Sequence, residues 1–251
     1  MGETKHEASG LPIGVKVDAR SAKRPVRTTH SGRYVIVAPL DPLAHAQSLY
    51  EGTHEVNKEA FWLYMSEGPF ADAAAFRVYL EKLACSEDPL SFSIVDPTTT
   101  QAVGHASYMR ITPEHRVIEI GNIFYTPALA GTRGATEAMY LLAQYAFADL
   151  GYRRYEWKCN ALNMRSRRAA LRLGFAFEGE FRQHMIQKGR NRDTAWYSTL
   201  DTEWAAYKTA YEHYLSPQNF DAQGRELKGL SSPSAHLVLM ALGPMIQGLG
   251  S

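Results

Sequence analysis

Residues 115–177 constrain the fold of this chain more than any other stretch. The stretch opens with Val117–Tyr125, a run rich in β-branched and aromatic residues that contains one acid, Glu119. Apolar residues then recur through 135–150 at the spacing that places them on one face of a helix. Because a helix connects the first run to the strand-like residues 154–159, the two strands are expected to lie parallel. The pattern predicts an α/β fold.

The turn that precedes this helix has the composition of an anion site. It reads Gly131-Thr132-Arg133-Gly134-Ala135-Thr136. Small residues let a ligand approach the backbone closely, and the free N–H groups and positive dipole end of a helix start favour phosphate. Helices that begin after a glycine turn are also common, so the turn alone is equally consistent with an ordinary helix start.

A second helix follows the 154–159 strand. Asn163 can cap its first turn, and Gly174 stands where helices commonly end. Strand, Asn-x-x-Asn-x-x-Ser from Asn160 to Ser166, helix and Leu-Gly-Phe occur in that order. Together with the strand–turn–Thr-Glu-Ala block that begins the first helix, this order resembles the GNAT family of acetyl-CoA-dependent N-acetyltransferases, in its ribosomal-protein (RimJ/RimL-like) branch.

The resemblance extends over about residues 33–204, and more weakly through 216–224. One loop departs from it: the family's pyrophosphate loop usually reads Gln/Arg-x-x-Gly-x-Gly/Ala. This chain has Ala130 at the first position and Arg133 at the first glycine. Two outcomes are open, a different loop path or a charge-assisted contact from Arg133 to a phosphate. The resemblance still implies acetyl-CoA as co-substrate.

The resemblance also implies where acetyl-CoA binds. Main-chain N–H groups at the helix start would hold the pyrophosphate, the end of the first strand would pair with the pantetheine arm as an added strand, and two asparagines would bind the pantetheine amides. The predicted cofactor-binding residues are Phe124, Tyr125, Thr132, Arg133, Gly134, Ala135, Thr136, Asn160, Asn163 and Ser166.

Two residues are predicted to be catalytic. Glu119 lies among apolar residues, where burial raises the pKa of a carboxyl, and in related acetyltransferases a Glu on this strand deprotonates the amine. An ion pair or a solvent-facing position explains Glu119 equally well. Ser166 resembles the family position whose hydroxyl donates to the leaving thiolate. Satisfying a backbone group at the helix start is its alternative role.

The acceptor side is predicted from aromatic residues. The segment FWLYMSEGPF at 61–70 holds too many large groups for a solvated loop. In similar families such a segment lines the acceptor pocket, where Tyr and Trp contribute shape and a polar tip. Core packing under a loop is the alternative. The predicted substrate-binding residues are Trp62, Tyr64 and Tyr108, the last also being a substitute base if Glu119 is structural.

Composition narrows the class of protein. The chain has 251 residues, a formal net charge of +1 and two cysteines. That charge argues against nucleic-acid binding by bulk electrostatics. Two cysteines make no disulfide framework, and histidines without ligand spacing predict no metal site. The sequence has neither an 18-residue apolar run nor a signal-peptide pattern, so a cytoplasmic protein without a membrane span is expected, as a monomer or homodimer.

The predicted organisation has three parts: an N-terminal arm over 1–30, poorly ordered or lying along the surface; an acetyltransferase domain over 31–204; and a C-terminal helix and extension over 205–251. The sheet is expected to be mixed and mostly antiparallel, flanked by helices and splayed at the parallel pair beside Thr132. The apolar residues at 231–251 are expected to form a docking or interface segment.

Three functions are open at this point. The chain acetylates a small-molecule amine, or it acetylates a protein N-terminus, or it binds acetyl-CoA without catalysis. A closed aromatic pocket favours the first. An open groove between the Trp62 region and strands at 182–189 favours the second. A Glu119 that is salt-bridged away from the cofactor sulfur favours the third.

Overall fold

The computed structural model describes residues 3–55 and 57–230. Within them the strands are β1 Glu3–Lys5, β2 Pro12–Gly14, β3 His30–Ser31, β4 Ile36–Pro39, β5 Leu90–Val95, β6 Ala102–Thr112, β7 Val117–Tyr125, β8 Arg154–Asn160, β9 Ala176–Gln187 and β10 Arg190–Leu200. The helices are α1 Pro42–His54, α2 Lys58–Trp62, α3 Ala73–Cys85, α4 Arg133–Gln144, α5 Met164–Arg172 and α6 Asp201–Leu215. A π-helical turn, Tyr145–Asp149, extends α4, and a 3₁₀ turn, Pro217–Asn219, follows α6.

Eight of the described strands form one sheet, in the order β3-β4-β5-β6-β7-β8-β10-β9. Strands β5, β6 and β7 make an antiparallel meander. The pair β7 and β8 is parallel, with Glu119 opposite Glu156, as the crossover through α4 requires. The predicted fold class, a mixed and mostly antiparallel sheet with a central parallel pair, is therefore confirmed.

The parallel pair separates soon after it forms. Pairing joins 117–119 to 154–156, and within the described structure the rest of β7 and β8 makes no ladder with each other. The register between β6 and β7 shifts between His105 and Ser107, and Asn122 has a φ of 50°. That shift marks a β-bulge, which bends a strand and sharpens its twist. The bulge lies where the two strands separate, so it shapes the gap between them.

Two apolar cores lie on opposite faces of the sheet. One packs Ile120 of β7 against α4 and α6, with Leu142 fully buried. The other packs Phe124 against α1 and α3 through Leu49 and Phe76. Truncating a fully buried leucine in such a core costs about 2–5 kcal/mol. The helices thus fix β7 from both sides and hold the gap open.

Local geometry differs from the sequence predictions at two places. The sequence predicts strand residues through 189, whereas Lys188 and Gly189 form the β9–β10 turn, with φ of 49° and 71°. Two successive left-handed residues match the twist of a tight hairpin, so β10 starts at Arg190. Helix α2 was not predicted, because five residues show no helical period. The segment 231–251 lies outside the described residues.

The N-terminal arm lies along the body over part of its length. The N–H of Ala22 donates to the carbonyl of Pro113 at 3.0 Å, and that of Lys23 donates to Leu150 at 2.9 Å. The Arg27 guanidinium donates to the carbonyls of Ala84 and Ser86 at the end of α3.

Across the described ranges, no helix combines the length and the apolar character needed to cross a bilayer.

Candidate active site

The start of α4 presents backbone donors next to the gap. Thr132 caps the helix, since its Oγ1 accepts from the N–H of Ala135 at 3.3 Å. Other first-turn N–H groups have no partner inside a helix. Gly131 has a φ of 77° and open space where a Cβ would stand. The loop can therefore bring N–H groups against an anion without a side chain in the way.

Arg133 and Gly134 are placed by packing as well as by the loop. The Arg133 guanidinium lies 4.2 Å from the centroid of the Tyr34 ring and 5.1 Å from that of Phe220. These cation–π contacts hold one positive charge beside the helix start. A Cβ on Gly134 would lie 2.8 Å from Cγ1 of Val35. Glycine is thus required there by the core, independently of any ligand.

Thr136 points away from the gap. Its Oγ1 accepts from Arg172 of α5 at 3.0 Å, and Arg172 also donates to the hydroxyl of Tyr214 on α6 at 2.9 Å. The side chain is buried, so only its backbone could contribute to ligand binding.

The polar residues between β8 and α5 lie close together. Asn160 Oδ1 accepts from the N–H of Leu162 at 2.9 Å, and Asn163 Oδ1 accepts from that of Ser166 at 3.1 Å, the predicted helix cap. Neither side-chain NH₂ group makes a hydrogen bond to the described residues. Ser166 Oγ accepts from the indole N–H of Trp157 at 3.0 Å. The Ser166 hydroxyl also hydrogen-bonds the Cys159 thiol, which opposes the rise that burial causes in the pKa of that thiol.

The side chains of Phe124 and Tyr125 face the interior. The Phe124 ring is 4% exposed and stacks on His105 at 4.9 Å between centroids. Tyr125 packs against the α4 core, where burial raises the pKa of its hydroxyl. Any role of these two residues toward a cofactor rests on their backbone.

Glu119 is buried and ion-paired. It is 5% exposed, and its Oε2 lies 2.9 Å from Nε of Arg110 and 3.0 Å from Nζ of Lys158. Burial raises the pKa of Glu119, and the two cations oppose that rise. The contacts engage Oε2, while Oε1 lies beside Gly121, where a Cβ would stand 3.4 Å from it. The ion-pair alternative is thus observed, with one carboxylate oxygen left beside a residue that has no side chain.

Lys158 belongs to a network that the sequence reasoning missed. Its Nζ lies 2.7 Å from Oε2 of Glu156 and 3.8 Å from the centroid of the Trp196 ring. Arg154 pairs with Glu156 at 2.6 Å and with Glu178 at 2.5 Å. One signal was available, because residues 154, 156, 158 and 160 of β8 alternate as polar positions and so share a face of the sheet.

Two of the three predicted substrate-binding residues lie in the core. Trp62 is fully buried, with its ring 5.3 Å from that of Phe70 and 5.4 Å from that of Phe124. Tyr108 is also fully buried, and its hydroxyl donates to the carbonyl of Leu142 at 2.5 Å. Neither ring is accessible to a substrate, so both predictions are corrected. For the same reason Tyr108 is not available as a substitute base.

Tyr64 and the β9–β10 turn, here called the hairpin tip, close one side of the acceptor cleft. This cleft is the predicted groove between the Trp62 region and strands at 182–189. The Tyr64 hydroxyl donates to the carbonyl of Leu162 at 3.3 Å, and its own carbonyl accepts from Gln187 at 3.0 Å. Lys188 Nζ donates to the carbonyls of Trp62 at 2.8 Å and Gly68 at 2.6 Å. The segment 58–70 is thereby tied to the β9–β10 turn.

Comparison with known proteins agrees with this architecture. A solved N-acetyltransferase from Brucella melitensis is 45% identical, with a TM-score of 0.82 over 84% of this chain and 96% of that one. A GNAT-family structure from Chromobacterium violaceum is 38% identical, with a TM-score of 0.71 over 78% and 99% of the two chains. The uncharacterized N-acetyltransferase YnaD of Bacillus subtilis is 25% identical over 63% of this chain and 89% of its own length.

The acetyltransferase (GNAT) domain matches residues 35–176. That span contains the splayed strands, the α4 loop and α5, which are the parts that the sequence predicted to bind acetyl-CoA. The chain is an acetyl-CoA-dependent acyltransferase, and it belongs to the GNAT acetyltransferase family.

Proposed function

We propose that this protein transfers the acetyl group of acetyl-CoA to the primary amine of a small molecule, by direct attack of the amine on the thioester. The observation that carries the choice of acceptor is the closure between 58–70 and the hairpin tip, made by Lys188, Gln187 and Tyr64. A groove open between these segments would suit a polypeptide N-terminus. Hydrogen bonds across it favour a small amine.

The gap between β7 and β8 fits the co-substrate. Beyond Glu119 the backbones of β7 and β8 do not pair with each other. Such unpaired backbone suits a pantetheine arm that binds as an added strand. The amides of Asn160 and Asn163 have free donors near the end of β8. The N–H groups of residues 133–136 and the charge of Arg133 would hold the pyrophosphate.

The chemistry needs a neutral amine and a protonated leaving group. Oε1 of Glu119 would accept the amine proton, directly or through water, as the amine nitrogen bonds to the acetyl carbon. The C–S bond then breaks, the Ser166 hydroxyl donates a hydrogen bond to the thiolate, and the thiolate takes a proton from solvent while Glu119 returns the amine proton to solvent. Burial and the two cations oppose each other at Glu119, which keeps the carboxylate available as a base with a raised pKa.

A thiol-release assay tests this function. Purified protein and acetyl-CoA are presented with a library of small amines and, separately, with peptides that have free N-termini. We expect release of thiol with one class of small amine and little with the peptides. Faster release with peptides would assign the chain to N-terminal acetylation, the activity implied by the RimJ/RimL-like branch. Binding of acetyl-CoA without release in either set would indicate a non-catalytic protein.

A further inference from the structure

Arg192 of β10 is a partly buried cation, and among residues 3–55 and 57–230 no carboxylate forms a salt bridge with it. Its Nε is buried and has no hydrogen-bond partner among the described residues. One Nη donates to the side-chain oxygen of Gln187 at 3.0 Å, a neutral acceptor. A buried guanidinium normally pairs with a carboxylate or phosphate, because desolvation of an unpaired charge is costly.

The charges around Arg192 do not balance. Arg110, Lys158 and Arg154 all pair with carboxylates, and those carboxylates are Glu119, Glu156 and Glu178. With Arg192 this part of the described structure has four cations and three acids, and Arg192 is the cation left over.

Arg192 lies within electrostatic reach of the proposed base. Burial lowers the pKa of Arg192, and the positive charge of Arg110 lowers it further. The negative charge of Glu119 raises it. At nearby His184, burial and then the charges of Arg110, Arg192 and Lys158 lower the pKa. The three cations therefore create a positive potential on the side of the cleft formed by β9 and β10.

We infer that Arg192 binds an oxyanion of the acceptor, so that the acceptor is an amine that also carries a carboxylate or a phosphate. This inference rests on the proposed function. The amine would approach Glu119 while the acidic group pairs with the free guanidinium donors, which form a fork suited to two oxygens. The phosphates of acetyl-CoA are a poorer match, because their proposed site is the start of α4, and Arg192 lies on β10 near the acid that would take the amine proton.

Paired acceptors test the inference. Wild-type protein is assayed with standard amino acids against their amides, and with O-phosphoethanolamine against ethanolamine, so that the two arms separate carboxylate from phosphate. Arg192→Gln removes the charge, Arg192→Lys retains it, and Arg190→Gln removes an exposed cation from the same strand. Unfolding midpoints and the KM for acetyl-CoA are measured for each variant.

We expect the acid-bearing member of one pair to be preferred by wild type. Arg192→Gln should lose about 10- to 100-fold in kcat/KM for that acid, mostly through KM, because a charge-assisted contact is removed. Its activity on the amide or on ethanolamine and its KM for acetyl-CoA should not change. Arg192→Lys should recover part of the loss, and Arg190→Gln should behave as wild type. Equal use of both members by wild type, or an equal loss on both in Arg192→Gln, would overturn the inference.

Failure of the Arg192 inference can be distinguished from failure of the proposed function. If wild type acetylates neutral amines alone, the Arg192 inference fails and the proposed function stands. If no amine releases thiol, the proposed function fails, and calorimetric titration of the same acids decides the inference. Binding to wild type that is lost in Arg192→Gln would support the anion site. Absent or equal binding would overturn it.

Discussion

Glu119 experiences two opposing electrostatic effects, and their balance gives the first prediction. Glu119→Gln should lower turnover near neutral pH by about 100-fold, because an amide cannot accept the amine proton. The loss should shrink at high pH, where the amine deprotonates unaided. Since burial raises the pKa of Glu119, wild-type activity should begin to fall, as pH is lowered, at a higher pH than an ordinary carboxyl would give. Initial rates across pH measure both effects.

Glu156→Gln is the matched control for this prediction, because Glu156 shares Lys158 with Glu119 and lies opposite it in the sheet. That variant should keep turnover near the wild-type rate at neutral pH, while its acid limb moves to lower pH, because the charge of Glu156 contributes to the raised pKa of Glu119. Turnover of Glu119→Gln at the wild-type rate near neutral pH would make Glu119 a structural ion-pair partner.

Ser166→Ala gives a second prediction with a different signature. A hydroxyl donor to the thiolate does not titrate in the working range, so turnover should fall by a similar factor at every pH. The variant also leaves the indole N–H of Trp157 without its acceptor, so the unfolding midpoint must be measured beside the rate. An unchanged rate would mean that Ser166 serves only the start of α5 and takes no part in catalysis.

His105 gives a prediction on stability. It is fully buried, its Nδ1 donates to the carbonyl of Asn122 at 2.8 Å, and burial lowers its pKa from 6.5 to about 4. Below pH 6.5 the unfolded chain binds a proton that the folded chain refuses until near pH 4, so stability falls as pH drops through that window. Between pH 7 and pH 5 the loss from this residue should be about 2 kcal/mol. Urea unfolding should show that His105→Asn loses less over this interval than wild type; parallel losses would contradict the assignment.

Residue roles were only partly predictable from the sequence. The apolar neighbours of Glu119 predicted its burial, but its partner Arg110 comes from β6 across an irregular pairing, which no local pattern reveals. Trp62 and Tyr108 were placed at the acceptor because aromatic side chains serve pockets and cores equally well. Burial depends on which elements pack over them, and that is a property of the tertiary fold.

At the scale of elements, the start of α4 gives a fourth prediction. Gly134→Val is a poor test of phosphate binding, because its side chain would collide with Val35 and overpacking costs about 1–3 kcal/mol. Arg133→Glu is sharper, since it places a negative charge at the helix start without entering the core. It should raise the Kd for acetyl-CoA about tenfold at low salt, and less at high salt. Calorimetry at two salt concentrations measures this, and an unchanged Kd would place the pyrophosphate elsewhere.

Elements with a strong period were predicted closely, and irregular ones were not. The bounds of β7 agree with the sequence pattern, and Asn163 caps α5 as expected. The bulge at Asn122 and the turn at Lys188 depend on left-handed φ values at residues other than glycine, which composition does not indicate. These irregular places shape the gap and the cleft, so the parts nearest to function were the hardest to predict.

At the scale of the whole molecule, the cleft is closed by contacts between segments far apart in the chain, and this gives the last prediction. Lys188→Met keeps the aliphatic stem but removes the two hydrogen bonds to the carbonyls of Trp62 and Gly68. Each such bond contributes about 0.5–1.5 kcal/mol, so segment 58–70 should loosen and the KM for the amine should rise about 3- to 30-fold. The KM for acetyl-CoA should stay constant, because its proposed site lies at α4 and between β7 and β8.

Arg190→Met is the control for Lys188→Met, since it removes an exposed cation next to the same turn. Hydrogen exchange should show faster exchange at 58–70 in Lys188→Met and not in the control. If closure also excludes peptides, Lys188→Met should gain measurable activity on a peptide N-terminus while it loses affinity for the small amine. An unchanged amine KM together with faster exchange would mean that the segment covers the cleft without shaping the acceptor site, and the preference for a small amine would then need another cause.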